Sequence, residues 1–432
     1  MEDFHGEYIT VDCADHESAE KIGKTVGAVL SPKSRKNPLV IVGRDSGMSA
    51  GSISDSVCRG ICSAGVVAEK LGILPPPVIS CLVGIHDADA GIMITSLPDG
   101  QHCAIRLYSD GGYKLSHETG EEIKRIIFRA PEELEKRIRP KKGGVIVCEN
   151  AIEEYIGFIK KSVNEDFSGM KITVRCADGK INDIALRLFR EMGAEVCIIP
   201  EEDKLFTAEN KYDCGFVFEN DCEICTVIDE NGVIIDNDRL SAVFAKFYRE
   251  NNLLKNNAFV VTYSAGYAFI RFAEENDITV VTAGFDENSV IARMTEDGYN
   301  VGADSNGRII FSDEIPAGDG FFTAVKLLSV IKHTRSPVSR LADMKYYSQI
   351  SVDVEIPLNF REIWKNDCVI TDRIARYIHL LGNRGKLFVH ENSVNPAISI
   401  RAEGMDYVDI DDAVHSIAEK IRERISGKES EL

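Results

Sequence analysis

With 432 residues, 44% hydrophobic and 28% charged, the chain has an ordinary globular composition and exceeds the size of one hydrophobic core, so three or four domains are expected. A formal charge of −19 argues against nucleic acid or an anionic membrane as partner, because such polyanions are held by clustered Lys and Arg. No apolar run approaches the ~18 residues of a membrane span, and the opening MEDFHGEYITVDCADHE has neither a basic n-region nor an apolar h-region, so a soluble, cytoplasmic protein is expected.

In chain order, PLVIVGRD reads as a strand and SISDSVCRGICSAGVVAEKLG as a helix stopped at Gly72. The alternation continues through PPVISCLVGIHDADAGIMIT and HCAIRLYSDGGYKL to the helical ETGEEIKRIIFRA, and the charged EELEKRIRPKKGG closes a first unit near residue 140. A second unit, 141–247, opens with the helix EEYIGFIKKSV. It goes on through MKITVRCA (strand), NDIALRLFREMG (helix) and AEVCIIP (strand) to CGFVFENDCEICTVIDENG, two strands around an acidic loop. A third, 248–340, repeats the rhythm with NAFVVTYSAG, YAFIRFAEEN, ITVVTAG, NSVIARMTEDG and DGFFTAVKLLSVIKHT. The last, 341–432, carries SVDVEIP, DRIARYIHLLGN, GKLFVHE, NPAISIRAEG and a final helix, the pattern of a smaller α+β domain. Twelve scattered cysteines read as reduced core thiols, and the single C-x-x-C, Cys222 and Cys225, as strand cysteines rather than a zinc or redox pair.

VGRDSGMS, RGICSAGVVAEKLGILPPPVIS, DADAGIMITS and AIRLYSDGG stand in the order and spacing of the first domain of the α-D-phosphohexomutases, the superfamily of phosphoglucomutase, phosphomannomutase and phosphoglucosamine mutase. FVFENDCEICTVIDENG, VGADSNGRIIF and HENSVNPAISIRAEG extend this resemblance along the whole chain. It implies three similar α/β/α domains with mixed sheets and a C-terminal α+β domain around a central cleft. It also implies a cytoplasmic carbohydrate-metabolism protein with Mg²⁺ as its cofactor and a phosphosugar or polyol as its small-molecule partner.

The resemblance also marks four loops, each of which departs from the family pattern. In place of the T-A-S-H-N-P phosphoserine loop stands TSLPDGQH, one residue short, so only Ser96 offers a nucleophile; Arg44 and Asp45 keep G-R-D, Gly47 replaces a second arginine, and Arg106 replaces the lysine of N-G-I-K. The metal loop D-G-D-x-D-R becomes Glu219, Asn220, Asp221, Cys222, Glu223 and Ile224, leaving three alternating carboxylates and no arginine. In the sugar loop, G-E-x-S-G-H, the closest matches are Asp304, Asn306 and Arg308, which retain hydrogen-bonding capacity. The distal-phosphate loop R-P-S-G-T-E-P becomes His390, Glu391, Asn392, Ser393, Val394, Asn395 and Pro396; losing its arginine forfeits a charge-assisted hydrogen bond of about 1.5–3 kcal/mol. The expectation is a family member that binds a phosphosugar-like ligand or divalent metal with weak or absent mutase turnover. Two alternatives stay open: an active mutase interconverting hexose 1- and 6-phosphates through phosphoserine and Mg²⁺, and a non-catalytic regulatory partner of an intact mutase.

Overall fold

The computed structural model describes residues 4–5, 8–176, 179–200, 211–219, 221–357, 360–361, 363–392 and 396–429, and among these it has fourteen α-helices and four sheets. Two units separate by their internal contacts: Met1–Thr262 with Val281–Ala342, and Tyr263–Val280 with Asp343–Leu432.

The first sheet is built from β1 (Phe4–His5), β2 (Tyr8–Asp12), β3 (Leu39–Arg44), β4 (Val67–Ile73), β5 (Ala90–Ser96), β6 (His102–Ser109) and β7 (Val145–Val147), ordered β1-β2-β6-β5-β3-β4-β7. Its centre is parallel, β3 pairing with β4 and β5 and β4 with β7, whereas β5–β6, β6–β2 and β2–β1 are antiparallel. The helices are α1 (His16–Leu30), α2 (Met48–Ser63), α3 (Pro76–Ile85), α4 (His117–Phe128) and α5 (Pro131–Arg137). Strand β3 is apolar on both sides because it is covered on both sides. Val40 and Val42 belong to one core with Ala50, Ile53 and Val57 of α2, while a Cβ on Gly43 of the alternate face would meet Ile79 of α3. That period-2 alternation makes the three layers. Helices α1 and α2 approach so closely that a Cβ on Gly60 would lie 1.9 Å from the Glu20 carbonyl oxygen and one on Gly23 2.1 Å from that of Val57.

One element departs from the sequence reading. The helix does not run to Gly72: Ala64 caps α2, Gly65 turns left-handed at φ +83°, and VAEKLGI forms β4. A helical apolar spacing that continued across Gly65 hid a strand behind a helix stop. Likewise β7, beyond residue 140, still pairs with β4.

The next segment contains α6 (Ala151–Val163), β8 (Lys171–Cys176), α7 (Gly179–Glu191), β9 (Glu195–Ile198), β10 (Cys214–Phe218), β11 (Cys225–Ile228), β12 (Ile234–Ile235) and α8 (Asn237–Glu250). Its strands lie in the order β12-β11-β10-β8-β9, parallel at β8–β9 and β8–β10 and antiparallel from β10 outward. Phe189 stacks on Phe216 and Phe218 at 5.7 and 6.5 Å between ring centroids, fixing α7 to the sheet. Then follow β13 (Ala258–Val261), α9 (Tyr267–Glu275), β14 (Thr279–Thr282), α10 (Glu287–Asp297), β15 (Val301–Ala303), β16 (Ile309–Phe311), α11 (Gly320–Thr334) and α12 (Val338–Leu341). Strands β13 and β15 pair in parallel and β15 and β16 antiparallel. The division between the two units falls inside β14.

The second unit holds β17 (Ser348–Glu355), α13 (Cys368–Leu381), β18 (Gly385–Glu391), β19 (Ala397–Gly404) and α14 (Tyr407–Glu429), with an antiparallel sheet in the order β17-β19-β18. Ile410, Ala413, Val414, Ile417, Ala418 and Ile421 of α14 recur every three or four residues, so one helical stripe is buried on Ile398, Ile400 and Ala402 of β19. Helix α9 belongs to this unit: the Tyr267 N–H donates to Glu403 at 2.7 Å, and Arg401 donates to the Ser264 carbonyl at 2.8 Å.

Candidate active site

Ser96 ends β5, opposite Cys103 of β6, where the parallel strands open towards a cavity of about 570 Å³. Asp45, following β3, organises this end. Its Oδ2 accepts the Ser96 N–H at 2.6 Å, and its Oδ1 accepts both the Ser96 hydroxyl at 3.2 Å and the Gly47 N–H at 3.0 Å. A Cβ on Gly47 would stand 1.9 Å from Ser96 Oγ. Ser96 thus occupies space that a side chain at 47 would need. Arg44 donates to the Asp45 carbonyl at 2.9 Å, and Arg106 of β6, paired with Met93, lines the cavity with Ser96, Asp45, Glu219 and Asp221.

The acidic loop between β10 and β11 splits. Glu219 and Asp221 reach the cavity, whereas Glu223, 3% exposed, turns away from it. Its carboxylate lies 2.7 Å from Arg308 Nη2, 3.0 Å from Lys114 Nζ and 3.6 Å from Arg106 Nη1. Burial opposes the charge, but Lys114, Arg308 and Arg106 outweigh it and hold the Glu223 carboxyl below the usual range. Among the described residues the oxygens of Glu219, Asp221 and Glu223 do not gather within 4.8 Å of one another, and Asn220 lies outside those residues. Cys222 and Cys225 are buried free thiols, with the Cys222 thiol directed at the Glu219 carbonyl, 3.4 Å away.

The sugar-loop residues turn inward as well. Asp304 Oδ1 accepts the N–H groups of Asn306 and Arg308, both at 2.9 Å, and Oδ2 accepts from Arg308 Nη1 at 2.9 Å. Asp304 and Arg308 are buried and Asn306 alone is exposed, a departure from the expected polyol-facing trio. Glu287, at the start of α10, completes the cluster at 2.7 Å from Lys114. Burial first, then repulsion from Glu223, pushes its carboxyl up. Sequence reading missed Lys114 and Glu287: no local motif marks a lysine whose partner carboxylate is 109 positions away.

In the second unit His390 is exposed on β18 opposite Ser399, and the Asn392 N–H donates to the Ala397 carbonyl at 2.8 Å. Ser393 and Asn395 lie outside the described residues. Glu391 of the same loop is ion-paired with Arg361.

Residues 3–134 match the family model for the phosphoglucomutase/phosphomannomutase alpha/beta/alpha domain I, and residues 236–347 match that for domain III, together more than half of the chain. These matches define the class by family: the phosphoglucomutase/phosphomannomutase domains. The chain belongs to the α-D-phosphohexomutase superfamily. It is 28% identical to a phosphoglucosamine mutase of Clostridium perfringens and 29% to one of Clostridium novyi, over 94% of each chain in both cases. Among solved structures, a phosphoglucomutase/phosphomannomutase family protein from Burkholderia thailandensis superposes with a TM-score of 0.77 at 17% identity, covering 96% of this chain and 95% of its own. The Aspergillus fumigatus N-acetylphosphoglucosamine mutase in complex with GlcNAc-6P and magnesium superposes at 0.66 with 13% identity, covering 96% and 94%.

Proposed function

We propose that this protein, a phosphohexomutase by family, binds a phosphosugar-like ligand in the Ser96 cavity and has weak or absent mutase turnover. The observation that carries this reading is the position of Glu223, buried against Lys114 and Arg308 instead of facing the cavity with Glu219 and Asp221. Mg²⁺ demands near-octahedral oxygen ligation, and with Glu223 drawn away two cavity carboxylates remain where the resemblance implies three. The set is thus one carboxylate short of the metal loop that the resemblance implies, which favours ligand binding over turnover.

Two further features favour binding over turnover. Arg106 supplies a planar cation at the cavity wall, suited to a phosphate ester. A phosphoryl group on Ser96, in contrast, would bring about two negative charges against the Asp45 carboxylate that now accepts its hydroxyl. In this reading the four loops sit one each in domains 1–140, 141–247, 248–340 and 341–432, and the free thiols suit the cytoplasm.

The test is incubation with glucose 1,6-bisphosphate and Mg²⁺, followed by intact-mass and peptide analysis, alongside thermal shifts with glucosamine, glucose and mannose 6-phosphates. Binding without turnover gives a shift that survives Ser96→Ala and no phosphate on Ser96. Stoichiometric labelling of Ser96, with turnover near the ~10 s⁻¹ of ordinary enzymes and abolished by Ser96→Ala, makes the protein an active mutase and defeats the reading.

A further inference from the structure

Outside the cavity, four side chains from four segments of the first unit converge at the edge of the first sheet. His86 follows α3, Glu69 lies on β4, Cys148 follows β7, and Glu154 stands in the first turn of α6. None of them lines the Ser96 cavity. His86 Nδ1 is 2.7 Å from Glu69 Oε2 and His86 Nε2 is 2.6 Å from Glu154 Oε2. One ligand atom each from His86, Cys148 and Glu154 lies within 4.8 Å of the other two, the one such His, Cys or carboxylate group among the described residues. All three are half-buried, so the site is walled on the protein side and open to solvent on the other.

We propose that His86, Cys148 and Glu154 form a binding site for a zinc-class divalent cation, with Glu69 as the carboxylate that orients the imidazole. The donor set is one nitrogen, one sulfur and one oxygen, which suits Zn²⁺ and disfavours Mg²⁺ and Ca²⁺, whose ligands are oxygens. Glu69 accepts the Nδ1–H and holds the ring so that Nε2 is directed at Glu154, the carboxylate–histidine arrangement seen behind metal-bound imidazoles. A cation replaces the proton that now joins Nε2 to Glu154. The Cys148 thiol gives up its proton on binding, and a water takes the fourth tetrahedral position. Tetrahedral Zn²⁺ with bonds of about 2.0–2.3 Å requires ligand atoms about 3.3–3.8 Å apart, so Nε2 and Glu154 Oε2 must open from 2.6 Å while the sulfur, already within 4.8 Å, swings in by up to about an ångström. Asn150 steadies the carboxylate, donating from Nδ2 to Glu154 Oε1 at 2.8 Å.

The full-length protein, freed of metal with a chelator and kept reduced, is titrated with Co²⁺ and then Zn²⁺. One equivalent of Co²⁺ should give thiolate-to-cobalt absorption that Zn²⁺ bleaches. Cys148→Ser should abolish the band, Glu154→Gln should weaken binding about tenfold or more, and Glu69→Gln should weaken it about 10–100-fold while keeping the band. No band at one equivalent, or a band unchanged in Cys148→Ser, overturns the proposal. X-ray absorption of the zinc-loaded wild-type protein decides independently of any variant's folding: one sulfur among nitrogen and oxygen neighbours supports the site, and none or several refutes it.

Discussion

Glu223 shows how one side chain changes the meaning of a motif. In sequence it is the third of three alternating acids; in space it belongs to a buried group with Lys114, Arg308, Arg106, Glu287 and Asp304. Removing one partner of a buried ion pair strands the other, at a cost of about 3–5 kcal/mol. Glu223→Gln should therefore lower urea-unfolding stability by roughly that much, and a loss below about 1 kcal/mol would contradict the arrangement. Asp319, the cap of α11, shows the opposite electrostatic case. Burial, only partly offset by the Phe322 N–H and the Tyr155 hydroxyl, pushes its carboxyl up to about 6 from 3.8. Between those values the folded state holds the proton more tightly than the unfolded chain, so stability is fully present below the lower value and is lost as pH rises through the higher one. Asn keeps the cap without the titration. From about pH 4 to about pH 6 the wild-type protein should lose about 2 kcal/mol relative to Asp319→Asn, and parallel stability curves would refute this.

At the scale of elements, the contact between α1 and α2 depends on two glycines facing backbone carbonyls. A methyl at Gly60 has no room beside the Glu20 carbonyl, so the helices must separate. Overpacking of this kind costs about 1–3 kcal/mol, so Gly60→Ala should lower the melting temperature by several degrees. An unchanged melting temperature would mean that the two helices yield. The same elements show what local pattern can reveal. Strand β3 was legible as a short continuous apolar run ended by turn residues, and α14 by a period-3.6 stripe that records its buried face. Strand β4 was not, because VVAEKLG carries a spacing both structures accept and the deciding signal is the left-handed Gly65.

For the whole molecule, the second unit has its own core of Val354, Trp364, Ile370, Ile400 and the α14 stripe, distinct from the core around Val40, Ile53 and Ile92. Separate cores favour separate unfolding, so calorimetry should give a calorimetric enthalpy larger than the van't Hoff value; equality would mean one cooperative unit. Ser96, Asp45 and Arg106 were named through the family's separate first-domain motifs, and the fold brings them to one cavity. The candidate site was illegible where charge partners are 85 and 109 positions apart, as Arg308 and Lys114 are from Glu223. That cluster also limits how the sequence can change. Three acids and three bases balance there, all but Arg106 closed off from water, so exchanging any one of them alone leaves an unpaired charge. Such a locus resists piecemeal replacement: its members tolerate exchange only several at a time.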